Sequence, residues 1–253
     1  MENCGAGCIA AGLALQQKNV NFKTNDSDVG KSFVSLKVGM GRPLTKGEIE
    51  MCLPIFKDSI VYDQVRIVNA IHESQLNSTP PGVITDPAKP FIFFPPESKK
   101  RPVNYFHYQN DFSTPTYTGN YAIYVKNLFV HEMTHIWQRM QWRYYDLRTP
   151  NKAESDPKAW TFNKATKKWK FNSYYVPWDK DEEPKLFSQH NHEQQAEVVA
   201  SYFAMTQLGV DPGAKRRNYV LKVLSNFLKD PKNINLLPFN ADMIFGMRMR
   251  REE

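Results

Sequence analysis

Leu128 to Gln138 reads LFVHEMTHIWQ. Two histidines, His131 and His135, stand four residues apart, and Glu132 directly follows the first. The surrounding run from Tyr121 to Tyr145 contains neither proline nor glycine and carries apolar residues at helical spacing, which predicts a helix. On a helix, positions i and i+4 share one face about a turn apart. Both imidazoles can therefore aim at a single ion, with Glu132 one step round the helix. This is the H-E-x-x-H arrangement of metallopeptidases. Imidazole suits zinc, and a catalytic zinc takes three protein ligands and keeps one position open for water. Glu132 is then the general base for that water. Leu128, Phe129, Met133, Ile136 and Trp137 are apolar enough to bury this helix, and buried histidines and a glutamate are costly without a partner. The competing reading leaves both histidines as surface residues or satisfied core polar groups.

The third ligand decides the subclass. A metzincin needs glycine and a third histidine shortly after the motif, where this chain has Gln138 and Gln141, so that subclass is excluded. Downstream, HNHEQQAEVVASYFAMTQLG (190–209) predicts a second helix from Glu193 to Leu208, closed by Gly209. Glu193 and Glu197 fall on one stripe of it, with Ala196, Ala200 and Ala204 nearby to permit a close approach. A carboxylate from a second helix that completes two histidines is the gluzincin plan. On that plan Glu193 is the ligand and Glu197 supports a ligand histidine from behind. The reverse assignment stays open, as does an ordinary solvated pair of acids. His190 and His192 are rival third ligands, or oxyanion donors, or residues of an exposed loop. Tyr174, Tyr175 and Tyr202 are further donor candidates that sequence does not rank.

The chain has 253 residues, 41% hydrophobic and 23% charged, enough to bury a sizeable core. No apolar run is long enough to span a membrane. The first residues lack the basic start and cleavage site of a Sec signal. The net charge of +7 is a modest excess. Cys4, Cys8 and Cys52 form no paired CxxC modules, which excludes a zinc ribbon and leaves buried or free thiols.

Elsewhere, residues 1–37 read as a lead-in segment, and 38–253 as the main domain. Thr45 with Glu48 predicts a helix N-terminus by the capping-box pattern, and Pro54 predicts that this helix kinks or ends near Cys52. Residues 61–68 alternate as a strand, and FIFF (91–94) is a short buried or edge strand. Within a lysine- and aromatic-rich insert at 146–190, WTFNKATKKWKF (160–171) predicts a hairpin. NYVLKVLSNFLKD (218–230) is a further amphipathic helix. The whole predicts an α+β, zincin-like fold, with a small sheet packed on the motif helix and the second ligand-bearing helix beside it.

The order GRPLTKGEIEMCLPIFKDSIVYDQVRI, FIFFPP, NDFS, LFVHEMTHIWQ, EQQAEVVASYF resembles zinc metallopeptidase effectors of the bacterial type VI secretion system. These occur as free toxins or as C-terminal extensions of VgrG spike proteins. The resemblance covers residues 38–210. It implies His131, His135 and Glu193 as Zn2+ ligands and Glu132 as catalytic acid/base. It also implies delivery by a contractile injection machine without a signal peptide, action in a target cell's periplasm, a peptide or protein substrate, a cognate immunity protein and a spike component as partners. The long spacing before the third ligand departs from the family, and the residues before Met40 match nothing in it. Three other readings stand beside it. The same zinc chemistry serves peptidoglycan cross-links, an intact motif also permits a partner-binding scaffold, and lysines among aromatics can bind single-stranded nucleic acid, although no recognised nucleic-acid motif accompanies them.

Overall fold

The computed structural model describes residues 41–77, 82–86, 89–97, 106–141, 160–163, 168–171, 174–178 and 183–238. The 1–37 segment, most of the 146–190 insert and the basic tail lie outside them. The described residues form an α+β fold of four helices and a small mixed four-stranded sheet, with a separate two-stranded hairpin.

The sheet comprises β1 (Arg42–Pro43), β2 (Arg66–Asn69), β3 (Ile84–Thr85) and β4 (Phe91–Phe94), in the order β1-β2-β4-β3. β4 runs parallel to β2 in the register Arg66↔Phe91 and antiparallel to β3 in the register Thr85↔Ile92. FIFF is thus an interior strand, and Ile92, Phe93 and Phe94 are all buried, as a strand covered on both faces requires. The strand expected over 61–68 is shorter than its alternation suggested. Tyr62–Gln64 form a 3-10 turn, and β2 starts at Arg66, opposite Phe91 of β4. β5 (Trp160–Asn163) and β6 (Lys168–Phe171) pair antiparallel, with Trp160 opposite Phe171 and Phe162 opposite Trp169, which is the predicted hairpin.

Helix α1 spans Lys46–Phe56. Thr45 Oγ1 accepts from the Glu48 N–H, and Glu48 accepts from the Thr45 N–H at 2.8 Å, so the capping box forms as read. Glu48 is also fully buried, takes both arms of Arg42 at 2.6 and 2.8 Å, and accepts from the Phe112 N–H. One carboxylate thereby ties β1, α1 and the loop leading to the motif helix. Pro54 does not stop the helix at Cys52. The helix runs two residues past the proline, because Ile55 and Phe56 are buried and their packing outweighs one missing backbone bond. Cys52 is a free buried thiol, and burial pushes its pKa up.

Helix α2 spans Gly119–Gln141 and lies between the sheet and α3 (His192–Gln207). Every residue from Phe129 to Gln138 is buried, so this stretch of the helix is enclosed on all sides. Phe129 stacks on Phe112, and Trp137 meets Phe227 edge-on while its ring N–H donates to the Pro231 carbonyl. Asn191 caps α3 by accepting from the Gln194 N–H, with Gln194 reciprocating. Gly209, at φ +68°, takes the left-handed position that ends the helix. Ala196 and Ala200 are buried, in keeping with the close approach their size predicts. Helix α4 spans Ala214–Lys229 and starts four residues earlier than its apolar pattern suggested. Lys57 Nζ caps its C-terminal carbonyls at Leu228 and Lys229, where a cation complements the helix dipole.

Candidate metal centre

Helices α2 and α3 bring three side chains to a point. His131 Nε2 and His135 Nε2 lie 3.2 Å apart, and Glu193 Oε2 stands 3.1 Å from the first and 3.3 Å from the second. A tetrahedral zinc with bonds of about 2.0–2.1 Å spaces its ligand atoms roughly 3.3 Å apart. The three atoms therefore already have the spacing of one face of such a site. Among the described residues this is the one group of three or more His, Cys, Asp or Glu side chains that converges so closely.

Hydrogen bonding fixes which histidine nitrogens point inward. His131 Nδ1 faces Glu197 Oε1 at 3.3 Å, and His135 Nδ1 faces Gln138 Oε1 at 2.8 Å. A carboxylate and an amide oxygen only accept, so each Nδ1 carries the hydrogen and each Nε2 presents a lone pair. Two lone pairs and a carboxylate oxygen crowded together repel one another unless a cation or a proton sits among them. The residues thus fit a zinc ion on geometry and on donor chemistry. Glu197 stands behind His131 while Glu193 faces both histidines, the arrangement that the plan of a ligand and its support describes.

Glu132 is buried, and Thr85 Oγ1 donates to its Oε2 at 2.7 Å and lies 3.3 Å from its backbone oxygen. Thr85 sits on the edge strand β3 in a turn-rich stretch. Sequence reasoning missed it, and no local signal marks it. The five donor candidates separate. Tyr174, 40% exposed, has its ring 5.9 Å from that of His131 and hydrogen-bonds Glu193. The negative charge of Glu193, then burial, raises its pKa well above the usual value, which keeps the phenol a donor. His192 Nε2 lies 3.5 Å from Glu193 Oε1. His190 instead bonds Tyr219 and the Leu186 carbonyl. Tyr175 lends its carbonyl to Gln194, and Tyr202 packs against the core. Trp178 of the insert packs on Tyr219 with Arg216 over its ring at 4.0 Å, so it pins its loop to the helices.

The electrostatics give a pH dependence. Burial works to lower the pKa values of both histidines, but Glu193, joined at His131 by Glu197, outweighs it and raises both, His131 well above its ordinary value. Burial works to raise the Glu193 carboxyl, but His135 foremost, then His131 and His192, hold it well below the usual carboxylate range. The raised histidines stabilise the metal-free fold below their unfolded value of about 6.5, and that contribution is lost as pH climbs through their folded values. The depressed Glu193 contributes above about pH 4.3, and its share is lost as pH falls through its folded value. Zinc takes the same nitrogens only when they are bare. The melting-temperature gain from zinc over the chelator-stripped chain is therefore expected to widen from about pH 6 to about pH 9. Paired melts at each pH check this; a constant gap would mean that zinc does not compete for these nitrogens.

No protein-family model matches this chain, and no curated protein matches it. Among solved structures, the effector domain of Pseudomonas aeruginosa VgrG2b is similar at 21% identity and a TM-score of 0.44, with 88% of this chain and 96% of that domain covered.

Proposed function

We propose that the chain is a zinc-dependent peptidase of zincin-like architecture, with His131, His135 and Glu193 as ligands and Glu132 as general base. The observation that carries this is the triangle of ligand atoms at tetrahedral spacing beside a buried glutamate. When bound there, zinc supplies Lewis acidity that polarises a carbonyl and acidifies water. The chain's own residues do the rest. Glu132, with one oxygen tied down by Thr85, takes the water's proton on the other and passes it to the leaving amine. Tyr174, at the rim and kept protonated, donates to the oxygen on which negative charge develops. Glu197 holds His131 in its ligating orientation.

The order of sequence motifs supports a further reading, that of an antibacterial type VI effector acting in the target periplasm and held in check by an immunity protein. No helix among the described residues is long and apolar enough to cross a membrane. The test measures zinc in the purified full chain, then incubates it with an unfolded polypeptide and with purified cell-wall sacculi, while parallel cultures express it in cytoplasm or periplasm. The expected result is about one zinc per chain, polypeptide cleavage abolished by chelator and restored by zinc, and toxicity confined to the periplasm. Release of peptides from sacculi alone would move the substrate to peptidoglycan cross-links. A zinc-replete preparation without bound metal would overturn the assignment.

A further inference from the structure

Gln138 and Gln195 are both fully buried; of their four polar atoms, the metal centre itself involves only the Gln138 oxygen that faces His135. Their hydrogen bonds form a one-way chain. Gln195 Nε2 donates to the backbone carbonyls of Phe187 and Leu236 at 2.9 and 2.7 Å. Gln138 Nε2 donates to the His192 carbonyl at 3.0 Å and to Gln195 Oε1 at 2.9 Å. Gln138 Oε1 then meets His135 Nδ1.

The direction of this chain is forced. Backbone carbonyls only accept, so the amide nitrogen of Gln195 must face Phe187 and Leu236, and its oxygen must face Gln138. The nitrogen of Gln138 is likewise committed to the His192 carbonyl, which leaves only its oxygen for the imidazole. Every polar atom of the two amides is thereby used, which is what makes their complete burial tolerable.

We infer that Gln138 and Gln195 are positioning residues that fix His135 in its Nδ1–H tautomer, so that Nε2 presents a lone pair to the metal before any metal arrives. The inference rests on the zinc reading for its purpose, but not for its geometry. It also links the ligand to remote backbone. The 3-10 turns Phe187–Gln189 and Ile234–Leu236 set the orientation of Gln195, and through it the tautomer of a histidine on α2. The bond from Gln138 to the His192 carbonyl ties the same network to the turn that carries Glu193. In metal sites such outer partners are typically worth about 10–100-fold in affinity.

The test uses the full chain with 15N-labelled histidine. Two-bond nitrogen–proton correlation spectra of the chelator-stripped protein read each histidine's tautomer, and competition with a zinc chelator reads affinity. Recorded at a pH high enough for the ring to be neutral, wild type is expected to show His135 as Nδ1–H without metal. Gln138→Leu is expected to lose that single tautomer and to bind zinc about 10–100-fold more weakly. Gln138→Glu keeps an oxygen toward His135 but places the wrong group against the His192 carbonyl. It is expected to melt lower than wild type yet to recover most of the affinity that the leucine variant loses. An Nε2–H tautomer in stripped wild type would overturn the inference, and this spectrum decides it even if Gln138→Leu does not fold. Leucine and glutamate variants that lose affinity alike, in step with their melting temperatures, would reduce both glutamines to packing. A chain with the expected tautomer and zinc affinity that cleaved neither polypeptide nor sacculi would remove the peptidase reading and leave the relay standing.

Discussion

Glu132→Gln is expected to retain zinc at wild-type stoichiometry and to lose peptide hydrolysis by about 10²–10⁴-fold in kcat, the range typical of a positioned general base. The substitution is close to isosteric. Thr85 Oγ1 donates to Glu132 Oε2 at 2.7 Å, and an amide oxygen in that place still accepts the bond. The side chain should therefore stay where it is, and with it the packing of the edge strand β3 on α2. What disappears is a group able to take and return a proton. Initial rates on an unfolded polypeptide, with zinc measured on the same preparation, separate this from a metal-binding defect. Activity within about tenfold of wild type would assign the proton transfer elsewhere, because a tenfold loss corresponds to only 1.4 kcal/mol, less than a catalytic base is typically worth. Loss of zinc together with activity would mean that Glu132 contributes to holding the ion.

The parts of this site that could be read from sequence are those written within one turn of helix. His131, Glu132 and His135 declare themselves by spacing, and Glu193 with Glu197 by the same four-residue interval on a second helix. Thr45 with Glu48 predicted a helix start that the structure forms. The partners that finish the site are remote. Thr85 is 47 residues from Glu132, and Gln195 is 57 from Gln138. Gln138 entered the sequence reading only as the residue that excludes a glycine, and nothing local distinguishes a buried amide relay from an exposed glutamine. The same reason explains the misread strand. Alternation at 61–68 describes what the segment could do, whereas the turn at Tyr62–Gln64 and the register with β4 confine pairing to Arg66–Asn69. At Pro54 the helix runs on to Phe56 instead of ending at Cys52, and the two residues past the proline, Ile55 and Phe56, are buried. Local pattern located the candidate ligands here, and remote partners in the fold orient them.

The roles of the two glutamates give the other large expected effect. Glu193→Ala is expected to bind zinc more weakly than Glu197→Ala, whose own loss should be about 10–100-fold, the usual cost of removing a group that supports a ligand from behind. The asymmetry follows from where each carboxylate stands. Glu193 Oε2 lies 3.1 and 3.3 Å from the two inward-facing histidine nitrogens, so its removal takes away a ligand atom and the charge opposite the ion. Glu197 Oε1 lies 3.3 Å from the outward nitrogen of His131, so its removal frees the ring's tautomer while leaving three ligand atoms in place. Chelator competition on wild type and both variants reads the difference, and their melting temperatures guard against misfolding. A larger loss in Glu197→Ala would exchange the two roles. Equal and small losses would leave His131 and His135 to hold the ion with some third group, and His192, whose Nε2 lies 3.5 Å from Glu193 Oε1, would be the next residue to replace. The ordering is sharper than either magnitude, because Glu193 reaches the inward nitrogens of both histidines whereas Glu197 reaches only the outward nitrogen of His131.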